Sequence, residues 1–381
     1  MNWRVMLFDL SIDQEEIDEV TRILQSRWLA MGQETKELER EFSASLGVDE
    51  AVVVSSGTAA LHIAALALGI GPGDEVIVPS LSFVANASTI AMTGARPVFA
   101  DIRGIDDLTI DPEEIERLIT QRTKAIVVMH YGGYPANMEA VLKIARKHQL
   151  KVIEDAAHSP LVQTPQGMLG TLGDVGCFSL FSTKNITMGE GGVLVAKEQS
   201  VLQQGRALRS HYMTSSSWDK QQGRASEYDI QGLGFNYRPT DLTAAIGRVQ
   251  LRKSDYDRQK RRMLAKIYHQ HLQTLPGIQL PYAGYTGDTA HHLLPIILPP
   301  TCNRSALQLQ LREAGIQSSV HYPPIHLFQY YQAQYGCHKG MLARTEMVAA
   351  RQLSLPLHAR MQEEDAVLVV EILRQALKAQ L

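Results

Sequence analysis

Residues 154–159 read EDAAHS and close an apolar run, so Asp155 falls where a strand of a layered α/β fold would end. A carboxylate at such an edge can keep a heteroaromatic nitrogen protonated, or it can simply cap the helix that follows. Further along, Lys184 stands in FSLFSTKNITMGEGG, residues 178–192, after an apolar strand and before a glycine cluster. A partly desolvated lysine loses its proton readily, forms an imine with an aldehyde and can carry a proton between carbons. A lone lysine is more often a solvated surface charge. Upstream, SSGTAALH at 55–62 places Gly57 and Thr58 between a strand and a helix, where free backbone N–H groups and the positive helix end suit an anion such as phosphate.

Each of these signals is common alone. Their order along the chain is more specific: phosphate turn, aromatic residue, strand-end aspartate, then serine and lysine. A phosphorylated, aldehyde-bearing pyridine fits all three demands. Pyridoxal 5′-phosphate is such a molecule, and its protonated ring withdraws electrons from a neighbouring carbanion.

The elements that must position these residues follow from hydropathy patterning. Seven short apolar runs fall at 51–55, 75–79, 96–100, 124–130, 150–155, 176–181 and 192–197. They are apolar on both faces, as strands between two helical layers are. A mostly parallel seven-stranded sheet is expected. Helices are expected at 13–25, with Asp13 and Glu16 as a capping box and Ile17, Val20, Ile23 and Leu24 on one face, and at 33–46 and 58–68. Others follow Asp111 with Pro112 at the first helical position, run over 137–148 with cationic residues in the last turn, and span 241–272. Residues 205–240 interrupt the rhythm with a polar excursion containing SWDKQQGRASEYD, expected to help shape a substrate pocket. Short strands such as HLLPIILP mix with helices beyond 272, so a large α/β domain over 1–250 and a smaller α+β domain over 251–381 are expected, the N-terminal segment packing on the latter.

The bulk properties exclude several classes of function. With 37 Lys and Arg against 40 Asp and Glu, the net charge of −3 gives no basic surface for nucleic acid. No run approaches the roughly 20 apolar residues of a membrane helix, and the N-terminus has no signal-like pattern. Three widely spaced cysteines fit neither a disulfide framework nor a zinc site. A reducing cytoplasm is the expected location, with no metal.

The chain resembles the DegT/DnrJ family of sugar aminotransferases, which are pyridoxal-phosphate enzymes of fold-type I. The resemblance runs from RWLAMGQ at 27–33 to LSLPLH at 353–358. It is most specific in SSGTAALH, GPGDEVIVPSLSFVA, EDAAH, FSLFSTKNITMGEGG, GFNYRPTDLTAAIGRVQL and HYPPIHL. It implies that Lys184 forms the Schiff base, that Asp155 pairs with the pyridinium and that Phe83 stacks on the ring. It further implies that Gly57, Thr58 and Ser179 hold the phosphate and that His158 lies beside the ring hydroxyl. Asn236 is implied to reach the phosphate of a neighbouring subunit, which makes a homodimer part of the site. His321 and Tyr322 would face substrate. Met31 and Gly32 would lie at the sugar pocket, although many relatives carry Thr or Ser where Met31 stands.

The activity implied is transfer of an amino group from glutamate or glutamine to a keto-sugar, the leading form being a nucleotide-linked 3- or 4-keto-deoxyhexose. A cyclitol ketone or another secondary-metabolite ketone is the alternative acceptor. A sugar dehydratase of the same fold generally has His where Lys184 stands, and a non-catalytic regulatory protein would have lost the lysine or its aspartate. Both residues are present.

Overall fold

A computed structural model describes residues 3–215, 223 and 227–380. All seven expected strands form one sheet: β1 (Val52–Val54), β2 (Glu75–Pro79), β3 (Arg96–Ala100), β4 (Thr123–Met129), β5 (Lys151–Asp155), β6 (Val175–Ser179) and β7 (Gly192–Ala196). Their spatial order is β1-β7-β6-β5-β4-β2-β3. The pairs from β3 to β6 are parallel, whereas β7 runs antiparallel to both β6 and β1.

Alternation along each strand divides the sheet into two buried faces. Val76, Val78, Val127 and Ile153 point to one face, where they meet α3 (Gly57–Ala67), α4 (Ala85–Met92) and α7 (Gln199–Arg209). Ile77, Ile126, Val128 and Val152 point to the other, against α5 (Pro112–Leu118) and α6 (Met138–His148). Around β1 and β7 the second face is covered by α2 (Gln33–Leu46) and the first half of α8 (Asp241–Leu272). The same parity puts Asp155 with Ile153, on the side of α3 and α4, and Glu154 on the opposite side.

The 32-residue α8 spans roughly 48 Å at 1.5 Å per residue, long enough to serve two cores. Its second half, with Leu264, Ala265, Tyr268 and Leu272, packs with the antiparallel pair of β8 (Leu294–Ile297) and β9 (Gln352–Leu355). Completing that core are α9 (Arg304–Glu313) and α12 (Glu363–Lys378), together with Val5 from the start of the chain. Between them in the chain come α10 (Gln329–Tyr335) and α11 (Ala343–Arg351), which pack elsewhere. Among the described residues no helix is long and apolar enough to cross a membrane.

α1 (Gln14–Ser26) has the expected capping box, with Glu15 N donating to Asp13 and Asp13 N donating to Glu16. Its expected apolar face is a correction. Ile23 is buried, but Ile17 and Leu24 are 52% and 53% exposed. The helix is instead anchored to α8 through Glu16, which is buried and accepts from Gln250 Nε2 at 2.6 Å and Lys253 Nζ at 2.9 Å. A charged contact replaces the apolar stripe. Most of SWDKQQGRASEYD lies outside the described residues.

The antiparallel strand shapes the carboxyl edge of the sheet. Because β7 starts where β6 ends, with Ser179 opposite Gly192, residues 180–191 must turn back across that edge. Gly192 also faces Val54 at the end of β1, so the turn into α3 sits beside Ser179. The approach is close enough that a Cβ on Gly192 would overlap the Ser56 carbonyl, and one on Gly57 would lie 2.8 Å from Ser179 Cβ. We expect Gly192→Ala to cost about 2 kcal/mol, because the overlapped neighbour is backbone and must shift. The measurement is urea unfolding: a lowered midpoint at unchanged slope is the expected result, and an unchanged midpoint would mean the contact is relieved freely.

Candidate active site

A cavity of about 430 Å³ opens over the carboxyl edge of β5 and β6. Gly57, Thr58, Phe83, Asp155, His158, Ser179, Lys184, His321 and Tyr322 all line it. The fold thus gathers nine of the twelve sequence candidates. Met31, Gly32 and Asn236 do not line it.

Its floor is Asp155. The carboxylate ends β5 with 4% of its surface exposed, flanked by Met129 and Cys177 on the neighbouring strands. Ala157 N donates to Oδ1 at 3.0 Å and Asn86 Nδ2 to Oδ2 at 2.8 Å. Burial pushes its pKa up; the two donors and the Lys184 charge counter only part of that. A buried carboxylate in this state favours a cationic N–H as its remaining partner.

Lys184 lies five residues beyond the end of β6, in the returning turn, held by its N–H to the Phe181 carbonyl. Part of its surface faces the cavity, yet protein surrounds it closely enough that burial draws its pKa down to about 8, with Asp155 pulling the other way. About a tenth of such amines are unprotonated at pH 7, against a few in ten thousand for an ordinary lysine.

The anion turn is α3. Its N-cap is Ser56, whose hydroxyl accepts from Ala59 N at 3.0 Å, so the helix begins one residue earlier than expected. Among the described residues nothing accepts from Gly57 N or Thr58 N. Two unpaired N–H groups at a helix N-terminus, with the Ser179 hydroxyl alongside, fit a phosphate. Phe83 is 53% exposed at the cavity wall, which rules out ordinary core packing for it.

The opposite wall is imidazole and phenol. His158, His292 and His321 are all pushed below the usual histidine range, His321 to about 4, by burial first and by the Lys184 charge among the rest. All three are therefore neutral near pH 7. In His158 the Gly132 N–H donates to Nδ1 at 3.3 Å, so the ring proton sits on Nε2 and points at Tyr322 Oη, 3.0 Å away. Tyr322 accepts that bond and keeps its own proton to donate elsewhere. Burial and the Asp155 charge hold the phenol well above its usual pKa, so it remains a donor.

Several residues that matter here gave no usable signal in the sequence. Asn86 looks like any polar residue in a helix; its spacing of four from Ser82 and three from Phe83 could have placed all three on one turn. His292 packs against His158, tilted by 37° with ring centroids 4.2 Å apart, and meets Asn185 Oδ1 at 2.9 Å. Only folding makes those neighbours.

The three absent candidates have other surroundings. Gly32 N donates to Asp241 Oδ1 at 2.8 Å, and Ala30 pairs with Thr240. A Cβ on Gly32 would meet Trp28 and Asp241, which accounts for glycine there by packing. Asn236 is exposed and pairs with Ser210.

Residues 10–374 match the DegT/DnrJ/EryC1/StrS aminotransferase family. The chain is similar to the spore coat polysaccharide biosynthesis protein SpsC of Bacillus subtilis, 39% identical over 372 residues, covering 96% of this chain and 95% of that one. Among solved structures it resembles PseC of Helicobacter pylori, an aminotransferase involved in the biosynthesis of pseudoaminic acid, at 28% identity and a TM-score of 0.91 over the full length of both chains. It also resembles Spr1654 of Streptococcus pneumoniae in its PMP-form, at 28% identity and a TM-score of 0.92, again over 100% of each chain. A PLP-form of that protein matches at a TM-score of 0.91.

The position of Lys184 predicts its titration. In cofactor-free protein, acylation of the Lys184 amine followed by peptide mass spectrometry should rise with a midpoint near pH 8. Asp155→Asn should move that midpoint down, because the lost carboxylate had favoured the ammonium. A midpoint near that of exposed lysines would contradict the burial argument.

Proposed function

Since the chain belongs to the DegT/DnrJ/EryC1/StrS aminotransferase family, we propose that it carries an amino group from glutamate or glutamine to a ketone carbon of a nucleotide-linked 3- or 4-keto-deoxyhexose. Pyridoxal 5′-phosphate, attached through the Lys184 amine, supplies the electron-withdrawing ring this requires. The observation that carries the reading is the meeting of Lys184 and Asp155 in one cavity with an unsatisfied helix N-terminus.

Each residue then has a task set by its surroundings. Asp155 keeps a ring nitrogen protonated, since an N–H cation is the partner its burial calls for. Phe83 offers an exposed aromatic face for stacking. Gly57 N, Thr58 N and the Ser179 hydroxyl receive the phosphate. Lys184, lowered to about pH 8, removes a proton from one carbon and returns it to another. His158 lies at the ring-hydroxyl side, and its Nε2–H sets the direction of Tyr322.

The sugar acceptor is supported by the character of the walls. Among the described residues, the lining holds no charged side chain besides Lys184, Asp155 and Glu190 at the rim; the rest is aromatic rings, neutral imidazoles, hydroxyls and a few small or aliphatic side chains such as Leu61 and Met129. Such a surface suits a polyhydroxylated, uncharged ring. The names of SpsC and PseC, which tie them to polysaccharide and pseudoaminic acid biosynthesis, point the same way. Asn236, Met31 and Gly32, which do not line the cavity of their own chain, serve the cavity of a second copy in a homodimer, with Asn236 reaching its phosphate.

Protein loaded with pyridoxal 5′-phosphate should show a visible absorption band that Lys184→Ala abolishes, with kcat lowered about 10³-fold or more. Glutamate or glutamine should bleach the band, and one member of a panel of nucleotide-linked 3- and 4-keto-deoxyhexoses and cyclitol ketones should restore it. Restoration by a cyclitol alone would replace the sugar assignment. A colourless protein at saturating cofactor would end the proposal.

A further inference from the structure

Asp155 owes its geometry to a residue that does not itself line the cavity. Asn86 is fully buried in the first turn of α4, and its Nδ2 lies 2.8 Å from Asp155 Oδ2 and 2.6 Å from Ser82 Oγ. The two amide hydrogens are thus both used, while Asn86 Oδ1 is buried with no partner. This orientation fits only one charge state of its neighbour. An ionised carboxylate is purely an acceptor and needs the N–H side, whereas a protonated one could donate to the oxygen and relieve the orphan.

We propose that Asn86 is a positioning residue that holds Asp155 ionised and oriented for a protonated heteroaromatic nitrogen, at the cost of leaving its own carbonyl oxygen unsatisfied. This rests on the reading of the cavity as a pyridoxal-phosphate site. Phe83 lies two residues before α4 and its carbonyl accepts from Asn86 N in the first turn, so one short segment sets both the ring-facing wall and the charge below it. Ala157 N fixes the other carboxylate oxygen. The remaining titratable groups facing Asp155 are Lys184 and His130, which favour its charge, and Cys177 and Tyr322, whose ionisation it opposes. Asn86 is the side chain among them that donates directly to the carboxylate.

The test begins without cofactor. The carboxyl ¹³C shift of Asp155, titrated in cofactor-free protein, should move to higher pH in Asn86→Leu, a change that keeps the branched heavy-atom skeleton and removes the donor. Loaded protein should bind pyridoxal 5′-phosphate about tenfold more weakly, as expected for one lost hydrogen bond to a charged group, and its visible band should titrate at a different pH. Asn86→Asp sets two carboxylates against each other, so its cofactor affinity should fall as pH rises and recover in acid, where one acid can donate to the other. Melting curves establish that the variants fold, and Asn86→Ala, which removes the donor without adding volume, serves if Leu is not tolerated. An unchanged Asp155 titration and cofactor affinity within twofold of wild type would overturn the role of Asn86. If wild type and Asp155→Asn bind the cofactor equally, the reading of the cavity itself fails instead.

Discussion

The arrangement depends on one buried charge. Placing a carboxylate inside a protein costs several kcal/mol unless donors and countercharges replace its water, and Asp155 has 4% of its surface exposed. The fold answers from three directions: the Ala157 amide from the following turn, the Asn86 side chain from α4 and the Lys184 charge from the returning loop. These do not fully compensate, since its pKa stays raised. The deficit is what makes the position suited to an incoming cationic ring.

Topology decides which groups can share that charge. In a fully parallel sheet the chain after β6 would leave over a helix, and Lys184 would be carried away from the edge. The antiparallel β7 forces the return across the ends of β5 and β6. Pairing of β7 with β1 then draws the α3 N-terminus into the same place, with Gly57 and Gly192 permitting backbone approaches that a Cβ would block. Lysine, aspartate and anion turn converge through one reversed strand.

The same enclosure controls protonation around the cavity. Burial lowers Lys184 towards neutrality and raises Asp155 and Tyr322, while His158, His292 and His321 are all kept uncharged. Hydrogen-bond direction follows: the Gly132 amide settles the His158 tautomer, and His158 settles where Tyr322 can donate. The cavity therefore holds few charges and many directed neutral donors.

Local chemistry was legible in the linear sequence where a residue's role depends on its immediate neighbours. Apolar runs specified all seven strands, because a strand buried on both faces must be apolar throughout. The Asp13 capping box and the Ser-Gly-Thr turn announced helix starts, and Asp155 and Lys184 stood out by their place after strands. The apolar stripe of α1 misled, because the contact that anchors that helix is the buried charge of Glu16 against Lys253 and Gln250, which hydropathy cannot register. Tertiary structure alone brought Asn86 to Asp155, 69 positions apart, His292 to His158 and Asp241 to the start of α2. It also separated Met31, Gly32 and Asn236 from the cavity of their own chain. Propensity and patterning act over a few residues, whereas the ionisation of Asp155 and the direction of each donor are set by burial and by partners that meet only once the sheet has formed.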